Sequence, residues 1–176
     1  IWRYNKLIKK ANYLSSKYKA CNHVLTRHTS SDRTETVLLN LARGSDLAGL
    51  SSLNEIRSLT ANIKLVRPIL CFSRNETKKI CEEMDLPVWI DPANLDSNFS
   101  RNRIRNEVMP VLEDLHPGCS LRISSLSERL SEYRNNYEAI AVLALQSISN
   151  SDGLLREKLS ELPINSRAIL LSLWLK

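Results

Sequence analysis

Glycine is scarce in this 176-residue chain: Gly44, Gly49, Gly118 and Gly153 are its four glycines, and no two are adjacent. A phosphate cradle made of successive backbone N–H groups needs clustered glycine, so the chain carries no Walker A loop and no other glycine-rich cradle. Cysteine is equally sparse. Cys21, Cys71, Cys81 and Cys119 contain no C-x-x-C pair, which argues against a zinc knuckle or a disulfide framework and makes a reducing compartment the default. There is no G-x-S-x-G nucleophile elbow. The longest apolar run, Ala139 to Leu145, falls far short of the roughly 20 residues that cross a bilayer, and no basic-then-apolar signal opens the chain. The expectation is a soluble protein with no membrane partner. Acid is missing where base is plentiful: Ile1 to Ser31 hold seven Lys/Arg and no Asp or Glu.

What is present is enough for a core. Hydrophobic residues make up 43% of the chain, and 25 Lys+Arg against 19 Asp+Glu give a net charge of +6. That suits one full domain, or one domain with a smaller appendage. The basic opening and a second cluster, Arg101, Arg103 and Arg105, favour an anionic partner, nucleic acid or nucleotide before membrane. A solvated helix face is the plainer alternative. The chain opens at Ile1 rather than Met and ends at Lys176 within an apolar helical pattern, so it reads as a piece of something longer.

Periodicity organises the rest. Tyr4, Leu7, Ile8, Ala11 and Leu14 follow the spacing of an amphipathic helix from Trp2 to about Tyr18. A strand is expected at His23–His28 and a helix at about Asp32–Ala42, with Gly44 just past its end. A strand-like run at Leu65–Leu70, a helix opened by the Ser73/Glu76 capping box, and a strand at Val88–Trp89–Ile90 follow. Strands alternating with helices imply an α/β fold with a parallel sheet. A polar loop, 93–100, leads to a helix over about Arg101–Leu115. After His116-Pro117-Gly118 helices are expected at Leu121 to about Ile148, at Leu154–Leu159 and from Ser166. The expected division is 1–117 and 118–176.

Two constellations carry candidate chemistry. The first is His28-Thr29-Ser30-Ser31-Asp32-Arg33-Thr34-Glu35, on the loop leaving a strand, where a helix N-terminus offers free N–H groups. His28, Asp32 and Glu35 could position a nucleophile, a metal or a cationic substrate there. The D-x-x-E spacing would equally serve as a helix cap. In the second, Arg101 and Arg105 share a helix face, and their guanidinium forks suit phosphate or carboxylate. An Asp–Arg network bracing the loop is the competing reading. Cys21, His23 and His28 match no standard metal-site spacing, and burial of Cys21 is the expectation.

At these residues the chain resembles the tRNA(Ile)-lysidine synthases, in a variant found in cyanobacteria and plastids. The stretch from Arg27 to Leu53 is similar to the family's second motif, with H-T-x-S-D-R-x-E-T at His28–Thr36 and Arg27 where Gly is usual. Val66–Leu70, Ser73–Thr77, Trp89–Asn94 and Arg101–Pro110 follow in the family's order. The resemblance implies a Rossmann-like parallel sheet of the N-type ATP pyrophosphatase fold, residues 1–117 being the C-terminal part of that catalytic domain and 118–176 a helical tRNA-binding segment. It implies ATP-dependent ligation of free L-lysine to carbon 2 of the wobble cytidine of a CAU-anticodon tRNA(Ile), through an adenylated intermediate, with Mg2+ accompanying ATP. Asp32 and Glu35 would recognise lysine, with His28 at the reacting centre. Arg101, Arg103 and Arg105 would hold carboxylate or phosphate, and Arg43-Gly44 would lie near the nucleotide. The family's Ser-Gly-Gly-x-Asp-Ser loop is not in this stretch, so the stretch alone is expected to be inactive. A tRNA-thiolating relative and a non-catalytic tRNA-binding remnant are the alternatives. A plastid stroma or a bacterial cytoplasm is the expected location, and a homodimer the expected assembly if the protein is not monomeric.

Overall fold

The computed structural model describes residues 2–18, 22–89, 91–92, 96, 98–151 and 153–175. The expected burial of Cys21, the end of the expected strand at Ile90 and most of the 93–97 loop lie outside the described residues. Two compact units result, Ile1–Leu130 and Ser131–Lys176. The division falls later than the expected 117/118, because the first turns of the helix beginning at Cys119 are bonded into the first unit.

The first unit opens with α1 (Trp2–Tyr18), as its spacing predicts, with Ala11 buried and Lys6, Lys9 and Lys10 exposed. Strand β1 (His23–Leu25) pairs parallel with β3 (Lys64–Val66), and β2 (Ile56–Ser58) pairs antiparallel with β3, giving the order β1-β3-β2. The sheet is therefore mixed among the described residues, where the sequence implied a parallel one. β2 escaped the sequence pattern because all three of its residues are exposed. The run through Leu70 leaves the sheet at Val66, where Pro68 lacks the N–H that would continue the ladder. Val88 and Trp89 belong to no strand; both are exposed.

Helix α2 (Ser30–Ala42) starts two residues before the expected position, because Thr29 rather than Asp32 is its N-cap. Asp32 stands at the third helical position and closes a capping box: its Oδ2 accepts from Thr29 N and Oγ1, each at 2.8 Å. A short turn, α3 (Leu47–Leu50), precedes β2, and α4 (Arg74–Glu83) begins at the Ser73/Glu76 capping box read from the sequence. The expected helix over 101–115 is three pieces: α5 (Ser100–Arg103), a π-helical turn (Ile104–Val108) and α6 (Met109–Leu115).

Helix α7 (Cys119–Ile148) follows, and its first turns are tied to the unit by polar bonds. Thr34 Oγ1 donates to Ser120 O at 2.7 Å and Ser127 Oγ to Leu50 O at 2.7 Å. Arg33 is 5% exposed; its Nε donates to Leu53 O at 3.0 Å and its Nη1 meets Glu128 at 3.5 Å. Burial holds the Arg33 guanidinium below its usual pKa, with Glu128 and Glu55 opposing that shift.

In the second unit, the hairpin β4 (Ser149–Asn150) and β5 (Gly153–Leu154) replaces the start of the helix expected at Leu154, with α8 (Arg156–Glu161) and α9 (Ile164–Trp174) following. Gly153 takes φ +132, a conformation closed to other residues, which lets the chain reverse. Ala141, Ile148 and Leu170 form its buried apolar cluster. No described helix is long and apolar enough to cross a membrane.

Candidate functional site

The capping box does more than start a helix. By engaging Oδ2, Thr29 fixes the Asp32 carboxylate and leaves Oδ1 to the arginines, one turn from Glu35 on the same helix. Glu35 is 2% exposed at its side chain. A carboxylate so buried must be paired, and three arginines from two other segments converge on it.

Arg105 grips Glu35 with a two-bond fork, Nε to Oε1 at 2.8 Å and Nη2 to Oε2 at 3.0 Å. Arg101 Nε donates to Oε2 at 2.8 Å, while its Nη2 reaches Asp32 O at 3.1 Å and Oδ1 at 3.4 Å. Arg74, from the first turn of α4, donates to Glu35 Oε1 at 3.1 Å and to Asp32 Oδ1 at 3.4 Å. Burial alone would push the Glu35 carboxyl up, but the hydrogen bonds from Arg105 and Arg101 and the charge of Arg74 outweigh it and hold the group below the usual carboxylate range. The same bond from Glu35 raises Arg105 against its own desolvation.

A cleft of about 1210 Å³ lies over this network. Thr29, Asp32, Arg74, Arg101 and Arg105 line it, together with His28, Arg27, Asp91 and Trp89; Glu35 sits behind them. Three guanidiniums against two carboxylates leave the network with one net positive charge, suited to an anionic group. Arg27 adopts ordinary backbone, since Asp85 (φ 49) is the one non-glycine residue with positive φ among the described residues.

His28 is oriented by a residue the sequence reading gave no role. Arg67 is 1% exposed, its Nε donates to His28 Nδ1 at 3.2 Å and its Nη1 donates to Asn54 O. Thr26 Oγ1 also lies 3.0 Å from that ring nitrogen. A guanidinium can only donate, so Nδ1 is the acceptor and the proton of a neutral ring resides on Nε2. Burial pulls the Arg67 guanidinium below its usual pKa, with Tyr4 opposing. The signal was a charged residue inside the apolar run Leu65–Leu70.

The structure thus brings His28, Asp32, Glu35, Arg101 and Arg105 together and adds Arg74 and Arg67. Three expected residues fall elsewhere. Arg103 turns away to a two-pronged pair with Glu107 at 2.9–3.2 Å on the surface. Arg43 is the C-cap of α2 and Gly44 follows it at φ +69, both exposed. Arg43 stands eleven steps along the chain from Asp32, about 16 Å at 1.5 Å per residue.

Residues 3–112 match the family model of the PP-loop domain. The chain is 52% identical over 177 residues to the tRNA(Ile)-lysidine synthase of Prochlorococcus marinus, covering 99% of this chain and 53% of that one. It is 38% identical to that of Gloeobacter violaceus, covering 99% and 52%. The chain therefore spans about half the length of the curated relatives it matches. Among solved structures it is similar to the U34-tRNA thiolase NcsA from Methanococcus maripaludis with its [4Fe-4S] cluster, with a TM-score of 0.54 at 23% identity over 75% of this chain and 44% of that chain. That likeness bears on the fold.

Proposed function

This chain belongs to the PP-loop domain family, and we propose that it forms the substrate-binding half of the catalytic domain of an enzyme that joins lysine to the wobble cytidine of a CAU-anticodon tRNA(Ile). The supporting observation is the Asp32–Glu35–Arg74–Arg101–Arg105 network beneath the cleft, in a chain 52% identical to a relative of that name. Residues 1–117 supply the groups of the cleft and the helical remainder faces the tRNA.

The residues present fit a nucleotide substrate in part. The cleft offers apolar side chains for a base and guanidiniums for anionic groups. ATP, accompanied by magnesium, supplies the adenylyl group. In the first step the cytosine O2 bonds to the α-phosphorus and pyrophosphate leaves; in the second the lysine ε-amine bonds to carbon 2, AMP leaves with the oxygen, and the amine sheds its proton.

This chain's own residues divide the work. Asp32, which lines the cleft, takes the lysine ammonium, its Oδ1 being shared between that group and Arg74 and Arg101. Glu35 is walled off by three arginines and acts as their anchor, holding Arg101 and Arg105 where charge builds on the leaving group. His28, with its proton on Nε2, serves as a hydrogen-bond donor rather than a base. The exposed lysines of α1 suit the tRNA backbone, through contacts that weaken with salt. A bacterial cytoplasm or plastid stroma is the setting.

The test uses the full-length protein with ATP, magnesium, lysine and the tRNA, and reads the wobble nucleoside by mass spectrometry. A lysidine mass requiring both ATP and lysine is expected. Unmodified cytidine with tRNA still bound would replace this reading with a binding remnant.

A further inference from the structure

The proposed chemistry accounts for Asp32, Arg101 and Arg105 in the cleft lining and leaves its apolar side chains without a role. The apolar ones include Leu7, Leu25, Ile69, Val88 and Trp89. Trp89 is 85% exposed, the most exposed large hydrophobic side chain among the described residues, and its neighbour Val88 is 62% exposed. An indole in water at the wall of a cleft has forgone the burial that normally holds such a ring, and its open surface can receive a planar partner.

Charge around the ring narrows that partner. Arg27 and Lys78 are exposed and share the cleft with the indole, against one acid beside it in sequence, Asp91, and Asp32 at the network. Leu7 brings α1 to the cleft, and the same helix presents Lys6, Lys9 and Lys10 to solvent. A planar ring between phosphates, on a chain continuing along a basic helix, describes a nucleotide of single-stranded RNA, whose unstacked base is free to lie on an aromatic side chain. A free nucleotide would use the ring and leave the basic helix without a role.

We propose that Trp89 is the stacking platform for the reacting pyrimidine of an RNA loop, with Arg27 and Lys78 meeting its flanking phosphates. The inference rests on the RNA-modifying reading above. It gives the segment after α4 a role in substrate selection.

The test compares Trp89→Ala and Trp89→Phe with wild type in the full-length protein, varying CAU-anticodon tRNA and then ATP. Losing one base–aromatic stack should raise the tRNA KM about tenfold in Trp89→Ala, while Trp89→Phe stays within about twofold of wild type and the ATP KM does not move. The ring is exposed, so both variants should keep the wild-type unfolding midpoint. A tRNA KM within twofold in Trp89→Ala overturns the proposal, and so does a rise in the ATP KM instead, which would assign the ring to adenine. Should wild type form no lysidine, the parent reading fails, and binding of a CAU-anticodon stem-loop still decides Trp89: about tenfold weaker binding to Trp89→Ala supports the platform, and equal binding refutes it.

Discussion

Replacing Glu35 by Gln keeps the volume of the side chain and removes its charge, leaving Arg74, Arg101 and Arg105 with Asp32 as their remaining acid. Breaking a fully buried ion pair costs about 3–5 kcal/mol. Here the arginine side chains are 21–41% exposed and can recover water, whereas Glu35 is 2% exposed. The expected loss is therefore about 2 kcal/mol, below the fully buried figure and above the median for surface pairs. Chemical denaturation at pH 7 measures it. Acid titration supplies an independent check. The Glu35 carboxyl is held below its ordinary 4.5, so its contribution is complete above that pH and is lost as pH falls through the lower folded value. Wild type should lose stability on acidification there, and Glu35→Gln should lose less, narrowing the gap between them. Equal stability at pH 7, or parallel acid profiles, would show that the three arginines do not depend on Glu35.

Arg67→Lys keeps a positive charge and loses the planar fork that reaches both His28 and Asn54; lysine transfer should slow about tenfold with the tRNA KM within twofold, in steady-state kinetics. Arg103→Ala should leave the transfer rate within twofold of wild type, because that side chain pairs with Glu107 outside the cleft; a large loss would return Arg103 to the site. Ser73→Ala removes the hydroxyl that accepts from Glu76 N at the start of α4 and should cost about 1 kcal/mol in denaturant unfolding. If Arg74 depends on that cap for its aim, the same variant also slows transfer.

Local signals carried far. Helix α1 follows from apolar spacing, the break at His116-Pro117-Gly118 announces α7, and the Ser73/Glu76 box marks the start of α4 to the residue. The shared face of Arg101 and Arg105 was legible too; the Asp–Arg network read there was one bracing the loop before them, and no spacing could tell that their acids are Asp32 and Glu35 on α2. Arg74 meets Glu35 across 39 residues and Arg67 meets His28 across 39, separations that leave no local signature. Short elements were lost for a different reason. β2 buries nothing, and the Ser149–Leu154 hairpin has two residues per strand, too few to establish an alternation. Trp89 was mistaken for a strand residue because aromatic and β-branched neighbours favour a sheet, whereas here the cleft claims them.

The π-helical turn at Ile104–Val108 makes the aim of the arginines a matter of counting. Met109 N donates to Ile104 O, five residues back, so the backbone between Arg101 and α6 holds one residue more than a regular helix would. Take that residue away and Arg101 rotates by about 100° relative to Leu112, swinging its fork off Glu35 although every arginine remains in the chain. A relative one residue shorter here would keep the motif in print and lose it in space. The length of this stretch, more than the identity of its letters, separates a chain that holds the network from one that merely spells it.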